Sequence, residues 1–300
     1  MDDDNPYFLR IKTFLRKRAL RFSHRGKTIH PTPTGNSLIS ELLSDGTPCL
    51  ISRIGGSEAV ALAEYRKLGL LTEETATRLL NLSGVFPNEP EEGARFCETY
   101  LEAISASDVI GIWGVKDEAG LIRRHAARAQ ITELRALEPY YHEVPWSRSL
   151  ENKRVLVVHP FSNLIAKQYD KHESLFSNPQ VLPQFKELQV LASVQSIGGT
   201  DAFESWSDAL EFQKQQIAKH DFDIALIGAG AYGLPLGAHV KSLGKVAIQM
   251  GGSLQILFGI KGKRWDTHPI ISKLYNEHWG RPGEAERPAS YKKVEGGCYW

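Results

Sequence analysis

Two glycine-lined segments could bring a ligand close to the backbone. The first, Arg53-Ile-Gly-Gly-Ser-Glu58, contains Gly55, Gly56 and Ser57, and the second, Gly228-Ala-Gly-Ala-Tyr-Gly233, contains Gly230 and Tyr232. Each follows a short apolar run and opens a helical pattern. Without side chains, backbone N–H groups can approach phosphate oxygens, and a helix N-terminus adds about half a positive charge. Two such turns predict a nucleotide-type ligand.

Charged side chains near the first turn could act on that ligand. Arg53 stands where a strand is expected to end, and a guanidinium there suits a diphosphate. Glu58 could serve as a base, bind a metal through oxygen, or only complement the helix dipole. Asp117, just past a predicted strand ending at Trp113, is either a second candidate base or an ordinary loop residue.

Three further residues are candidate contacts for substrate. His159 follows the clearest apolar run, so it is either a diphosphate or acceptor contact or a histidine bonded to nearby backbone. Lys261 and Arg264 open an aromatic-rich segment that runs to residue 300. This segment could supply phosphate and glycan contacts, pack as a cap over the sheet edge, or combine both roles.

The spacing Gly228-x-Gly230-x-x-Gly233 is also typical of NAD sites. Such sites carry an acidic residue about 20 positions further on, which holds the ribose hydroxyls. Here the strand at that distance ends in Gln249, a weaker acceptor. NAD binding and a purely structural role for these glycines both remain open alternatives.

Short apolar runs alternate with helical patterns along the chain, which predicts an α/β fold with a parallel sheet flanked by helices. The predicted strands cover residues 49–52, 108–113, 154–158, 188–194, 223–227 and 246–250. Helices are expected at 58–67, ending at Gly69, at 203–220 and around 236–243. The proline- and threonine-rich residues 31–35 are interpreted as a linker. The expected organisation is an N-terminal segment and linker, 1–35, and one α/β domain, 36–300.

Composition limits the class of protein. Three hundred residues with 42% hydrophobic content can bury a full α/β core. Three scattered cysteines do not form a disulfide framework or a CxxC site, and no signal peptide precedes them, which favours a cytoplasmic location. No apolar stretch approaches the ~20 residues needed to cross a bilayer.

Positive charge is concentrated near the N-terminus. Eight basic residues lie between positions 10 and 27. The rest of the chain has 28 basic and 35 acidic side chains, a net charge of −7. Apolar residues are interleaved, so the segment is predicted to form a basic amphipathic helix that either lies on anionic lipid at the inner membrane face or docks on the body. The acidic remainder argues against nucleic acid as a partner. The eight residues are Arg10, Lys12, Arg16, Lys17, Arg18, Arg21, Arg25 and Lys27.

The two glycine motifs, with the later Leu-Gly-Lys-Val-Ala-Ile, resemble those of GT-D-type bacterial glycosyltransferases over residues ~45–260. The resemblance implies a single Rossmann-like domain that binds a nucleoside diphosphate sugar. It also implies transfer of the sugar to a glycan or lipid-linked acceptor in surface polysaccharide synthesis.

That family carries an Arg-Phe-Gly-Asp-Gly-Glu segment whose Asp-x-Glu pair binds a divalent metal, Mn²⁺ or Mg²⁺, beside the diphosphate. By position, Glu58 matches the family's glutamate, and Gly56 stands where its aspartate would be. One carboxylate is a poor anchor for a hard cation. Two other classes of function stay open: an NAD-dependent oxidoreductase or epimerase, and a nonenzymatic nucleotide-binding protein.

Overall fold

The computed structural model describes residues 18–287, 290–293 and 296–300, and within them the chain forms one eight-stranded parallel sheet. The strand order is β1-β4-β3-β2-β8-β7-β5-β6. Most strands are buried on both faces, which explains why they appear in the sequence as continuous apolar runs. The strands are β1 (Ile29–His30), β2 (Leu50–Ser52), β3 (Val109–Ile112), β4 (Gln130–Glu133), β5 (Arg154–Val158), β6 (Glu187–Leu191), β7 (Ile224–Ile227) and β8 (Val246–Gln249).

Helices cover both faces of the sheet, and several have recognisable caps. The Thr72 and Ser205 side chains each accept a backbone N–H at a helix start, and Gly69 ends a helix in the left-handed conformation. The helices are α1 (Thr32–Asp45), α2 (Gly56–Leu68), α3 (Glu73–Ser83), α4 (Pro90–Ser105), α5 (Glu118–His125), α6 (Ser162–Tyr169), α7 (His172–Leu175), α8 (Trp206–Ile217), α9 (Gly233–Ser242) and α10 (Leu254–Leu257).

The α/β parallel fold expected from the sequence is confirmed, and all six predicted strands exist within a few residues of the expected bounds. Strands β1 and β4 were not predicted. The linker expected at residues 31–35 is a correction, because α1 begins at Thr32. Pro33 lies in the first turn of α1, where a missing N–H costs nothing.

The two faces of the sheet carry separate apolar cores. Trp206 and Phe96 lie at the centre of one core, and Trp146, Phe161 and Phe258 lie in the other. The C-terminal residues pack into the second core through Trp265, Trp279 and Trp300.

The chain leaves β2 and its neighbour β8 toward opposite faces. After β2, α2 packs its Ala59 and Leu62 into the first core, whereas after β8, α10 packs Leu254 and Ile256 into the second. In open α/β sheets, this arrangement opens a crevice at the carboxyl ends of the two strands. We call it the carboxyl-edge crevice.

The described part of the N-terminal segment docks beside this edge. Residues 18–23 are helical, and a Cβ placed on Gly114, just after β3, would lie 3.0 Å from Leu20. The Arg123 guanidinium donates to the Ser23 carbonyl oxygen at 3.3 Å. Arg10, Lys12, Arg16 and Lys17 of the predicted basic helix lie outside the described residues. No described helix is long and apolar enough to cross a membrane.

Candidate functional site

Arg53 lies in the carboxyl-edge crevice and joins its two sides. Its backbone N–H donates to Gln249 Oε1 at 2.9 Å, which ties the end of β2 to the end of β8. Its side chain passes beside Gly251, where an added Cβ would lie 3.8 Å from the guanidinium carbon. The guanidinium also lies 4.8 Å from the ring centre of Trp113. The guanidinium is therefore held at the edge by the glycine surface and an aromatic ring.

Two acids, the buried Glu118 and the half-buried Glu138, lie within electrostatic range of Arg53. Burial raises the pKa of Glu118 to about 7, and Arg53 opposes this rise. The Glu118 side chain is 0% exposed and accepts the Gly114 N–H at 2.8 Å and the Trp113 N–H at 3.3 Å. Burial likewise raises the pKa of Glu138 to about 7, again opposed by Arg53. The two hydrogen bonds that Glu118 accepts fix the turn that carries Trp113.

The Glu138 carboxylate and the Tyr140 hydroxyl have few partners within the protein at this edge. Among residues 18–287, the Glu138 carboxylate has no hydrogen bond or ion pair, and the buried Tyr140 hydroxyl has the Ser253 hydroxyl as its one polar neighbour, without a hydrogen bond of good geometry. Burial and then Glu138 raise the pKa of Tyr140. A half-buried carboxylate without a partner, within electrostatic range of a guanidinium, points to a ligand at this edge.

The sequence interpretation missed Glu118 and Glu138. It selected Asp117, which is exposed, has a left-handed φ of 67° and starts α5 without a side-chain cap bond. The next residue, Glu118, is the one that turns inward. Glu138 carried no signal because the strand before it, β4, was not recognised. A catalytic role for Asp117 stays a prediction.

The first glycine turn is closed by its own glutamate. Glu58 is 8% exposed, and its Oε2 accepts the Ser57 hydroxyl at 3.1 Å. A Cβ on Gly55 would lie 2.0 Å from the same oxygen, so Gly55 leaves the space that the carboxylate occupies. Gly56 and Ser57 begin α2, where backbone N–H groups have no helical partner. They are the amides open to a phosphate.

The second glycine turn lies at the same edge, and most of it is packed. The Gly228 N–H donates to the Val158 carbonyl oxygen at 2.9 Å, and the Gly233 N–H donates to the Gly230 carbonyl oxygen. A Cβ on Gly228 would lie 2.8 Å from the Gly251 carbonyl oxygen. Only Gly230, with a φ of 53°, faces open space. The packing role considered for these glycines therefore describes Gly228 well.

Tyr232 belongs to the core. Its side chain is 2% exposed, its ring stacks on Trp206 with centres 5.3 Å apart, and its hydroxyl pairs with the Ser196 hydroxyl at 2.7 Å. These contacts stabilise the turn from the side of the apolar core. They favour a supporting role over direct binding of substrate.

His159 is also an internal support. Burial lowers its pKa to about 3, so the ring is neutral at pH 7, and Nδ1 accepts the Phe161 N–H at 3.0 Å. This is the backbone-bonded arrangement that the sequence left open as the alternative to a substrate contact. Nδ1 accepts, so the proton is assigned to Nε2.

The two basic residues of the C-terminal segment lie in different surroundings. The Arg264 guanidinium donates to the Tyr299 hydroxyl at 3.1 Å, and a Cβ on Gly252 would lie 2.2 Å from the Tyr299 ring. Arg264 thus approaches the end of β8 through Tyr299. The Lys261 ammonium lies 5.3 Å from the centre of the Tyr275 ring.

Gln249 does not provide a ribose-binding side chain. It is 4% exposed, and its Oε1 accepts the Arg53 N–H. Together with the packed Gly228, this gives no support to the NAD alternative.

The described residues do not fit a resident metal ion. Among them, no group of three or more His, Cys, Asp or Glu side chains is placed to hold one. Glu58 is bonded within its own turn, and Gly56 offers no ligand. Glu58 alone therefore does not provide a site for a resident metal ion.

The sheet order, the crevice at the carboxyl ends of β2 and β8 and the helix that starts after β2 define a Rossmann-like α/β class. The family model described as "GT-D fold-like domain" matches residues 36–257. The chain belongs to this family, which confirms the resemblance to GT-D-type glycosyltransferases and the enzyme class that follows from it.

Two solved structures are similar to the chain, each at 14% sequence identity. One is a glycosyltransferase (DUF1792) from Streptococcus sanguinis, with a TM-score of 0.44, covering 88% of this chain and 97% of that chain. The other is a selenomethionine-substituted domain of unknown function 1792, with a TM-score of 0.43, covering 92% of this chain and 96% of that chain. No curated protein matches the sequence.

Proposed function

We propose that the protein transfers a sugar from a nucleoside diphosphate sugar to a hydroxyl of a glycan or lipid-linked acceptor, in bacterial surface polysaccharide synthesis. The observation that carries this proposal is the open group at the carboxyl-edge crevice. There Arg53 lies within electrostatic range of the Glu138 carboxylate, which has no hydrogen-bond or ion-pair partner among the described residues, and of the Tyr140 hydroxyl. A cation for a departing diphosphate and a carboxylate for a hydroxyl proton are the two groups that such a transfer needs.

The proposed donor site uses Arg53 and the open amides of Gly56 and Ser57. In the transfer, the bond between the anomeric carbon and the diphosphate oxygen breaks, and the diphosphate leaves with its charge. The guanidinium and the backbone N–H groups stabilise that charge where it develops. Trp113 keeps the guanidinium in place.

Glu138 is the proposed base. The acceptor oxygen bonds to the anomeric carbon while its proton moves to the Glu138 carboxylate. A pKa of about 7 lets this group take a proton near neutral pH. Glu58 is bonded in its own turn and Asp117 is exposed, so both are less well placed.

Glu138→Gln should lower sugar transfer by about a hundredfold or more, because Gln cannot take a proton. The wild-type kcat/KM should rise with pH through about 7, as Glu138 loses its proton, and the variant should lack this rise. The assay is release of free nucleoside diphosphate from a donor sugar. Glu151→Gln, at an exposed glutamate, is the matched control and should behave as wild type.

Ligand binding distinguishes a nucleoside diphosphate site from an NAD site. A thermal-shift panel of UDP, GDP, CMP and NAD, with and without Mn²⁺, should show stabilisation by a nucleoside diphosphate that Arg53→Gln removes. Stabilisation by NAD alone would contradict the proposal. Unchanged turnover in Glu138→Gln would remove Glu138 from the mechanism.

We also infer a peripheral membrane location at the cytoplasmic face. The support is the exposed surface of the docked helical segment, where Arg21 and Arg25 flank Phe22, whose side chain is 65% exposed. Basic residues beside an exposed aromatic ring are typical of segments that lie on anionic lipid. The segment lies next to the crevice, which would bring a lipid-linked acceptor to the site.

A further inference from the structure

A second cavity lies outside the crevice, along helix α1. It measures about 590 Å³ and is formed between one face of α1 and residues 141–148. Residues 33, 36, 37, 40 and 41 of α1 line it, a spacing that places them on one helical face. Its size lies within the range of small-molecule sites.

The walls of this cavity are fixed by hydrogen bonds. Asn36 Nδ2 donates to the Val144 carbonyl oxygen at 2.9 Å, and Asn36 Oδ1 accepts the Trp146 N–H at 2.8 Å. The Ser40 and Ser149 hydroxyls pair at 3.1 Å. These bonds hold segment 141–148 against α1, so the cavity exists before any ligand arrives.

The lining suits a neutral polyhydroxyl ligand. It combines the hydroxyls of Ser37 and Ser40, the carboxylates of Glu41 and Glu143, the guanidinium of Arg148 and the ring of Tyr141. Two carboxylates and one guanidinium disfavour a phosphate. Burial lowers the pKa of the adjacent His142, so it adds no positive charge at pH 7. Acceptors and donors beside an aromatic ring match sugar hydroxyls and the apolar face of a pyranose.

The cavity and the crevice are bordered by the same stretch of chain, residues 138–144. The ring centres of Tyr140 and Tyr141 are 5.2 Å apart. Tyr141 lines the cavity, and Tyr140 lies beside Glu138 and Arg53. The cavity and the proposed base are therefore carried by neighbouring residues of one segment.

We propose that this cavity is a glycan-binding subsite that holds the part of a saccharide acceptor distant from the reacting hydroxyl. The inference rests on the proposed function for its role in catalysis. The binding of a neutral saccharide by the cavity is measurable without sugar transfer.

Ser37→Trp tests the subsite by filling the cavity from an exposed position on α1, and Ser44→Trp places the same ring on the same helix outside the lining. The probes are malto-, cello-, galacto- and chitohexaose, with binding followed by saturation-transfer NMR. At least one hexasaccharide should bind the wild-type protein. Its affinity should fall tenfold or more in Ser37→Trp and stay within twofold in Ser44→Trp, with both variants folded by thermal melting.

The subsite is overturned if none of the four hexasaccharides binds the wild-type protein, or if Ser37→Trp binds as well as Ser44→Trp. Release of nucleoside diphosphate by water from a donor sugar, without an acceptor, is measured in parallel and should be equal in both variants. Donor cleavage without hexasaccharide binding would reject the subsite and keep the proposed function. Ser37-dependent hexasaccharide binding without donor binding or cleavage would reject the proposed function and keep the subsite.

Discussion

At the scale of single residues, the charge around Arg53 depends on pH, because two acids near it change their protonation close to neutrality. Glu118 and Glu138 both have a pKa raised to about 7 by burial, so each is partly protonated near neutrality. Glu118 is bonded to two backbone N–H groups, and Glu138 is bonded to none within the described ranges. The same chemical group therefore supports a turn at one position and stays available for proton transfer at the other.

Glu118→Gln should change how stability depends on pH. The folded-state pKa of Glu118 is raised from 4.5 to about 7, so the wild-type protein loses stability as the pH rises across this window. Gln does not ionise, so the free energy of unfolding of the variant relative to wild type should increase by up to about 3 kcal/mol between pH 4.5 and 7.

The measurement is urea unfolding at several pH values. His159, which destabilises the fold as the pH falls from 6.5 toward about 3, is present in both proteins and cancels in the difference. Glu151→Gln should give a flat difference. A difference for Glu118→Gln that does not vary with pH would contradict the buried acid.

Residue types alone predicted part of this site. Arg53 was recognisable because it follows an apolar run and precedes glycines. Glu138 was not recognisable, because the cation it faces, Arg53, lies 85 positions earlier in the chain. The proximity of side chains from two distant segments is a tertiary property, and no local spacing encodes it.

At the scale of elements, the two glycine turns have different physical reasons for their glycines. Gly55 leaves room for the carboxylate of Glu58, and Gly228 lets β7 approach the turn after β8. In the sequence, both turns gave the same signal, which is glycines between a short apolar run and a helical pattern. Only the contacts separate a turn that is open to a ligand from one that is filled by its neighbours.

Gly228→Ala should destabilise the protein by about 2 kcal/mol or more, because the new Cβ would meet the Gly251 carbonyl oxygen at 2.8 Å and His159 at 2.6 Å. The backbone oxygen cannot move without shifting the turn after β8. Gly56→Ala is the control, since its Cβ would lie 3.5 Å from Val115, an ordinary contact. The measurement is the melting temperature of each variant, which should be lower for Gly228→Ala than for Gly56→Ala. Equal melting temperatures would show that the second turn is loosely packed.

The elements that the sequence predicted are the ones whose residues are apolar throughout. Strand β5 was predicted at its observed bounds because Arg154–Val158 is an unbroken buried run after its first residue. Strand β1 has two residues, and β4 begins with the exposed Gln130 and ends with Glu133, so neither gives a periodic signal. Helix α1 was hidden by its prolines, which are favourable only at a helix start.

At the scale of the whole molecule, the proposed membrane contact depends on a segment that is also part of the fold. Ile29 and His30 pair with Ile131 and Thr132, so deleting residues 1–30 would remove a strand as well as the charges. Charge reversal separates the two effects because it leaves the backbone intact.

The double variant Arg21→Glu, Arg25→Glu should bind vesicles containing phosphatidylglycerol about tenfold more weakly or worse, because each basic residue near an anionic surface contributes about 1 kcal/mol. Flotation measures the bound fraction. The control reverses Lys186 and Lys219, which are exposed elsewhere on the surface. Equal flotation of the two double variants would reject the N-terminal segment as the lipid-binding element.

The pairing of β2 with β8 also has a consequence for synthesis of the protein. Leu50 and Ile51 can pair with Ala247 and Ile248 only after most of the chain has been translated. The same holds for the hydrogen bond from the Arg53 N–H to Gln249. Until then a nascent chain on the ribosome carries the unsatisfied edge of a central strand, which is the kind of surface that chaperones shield. Products that end before β8 should accordingly be both inactive and prone to precipitate.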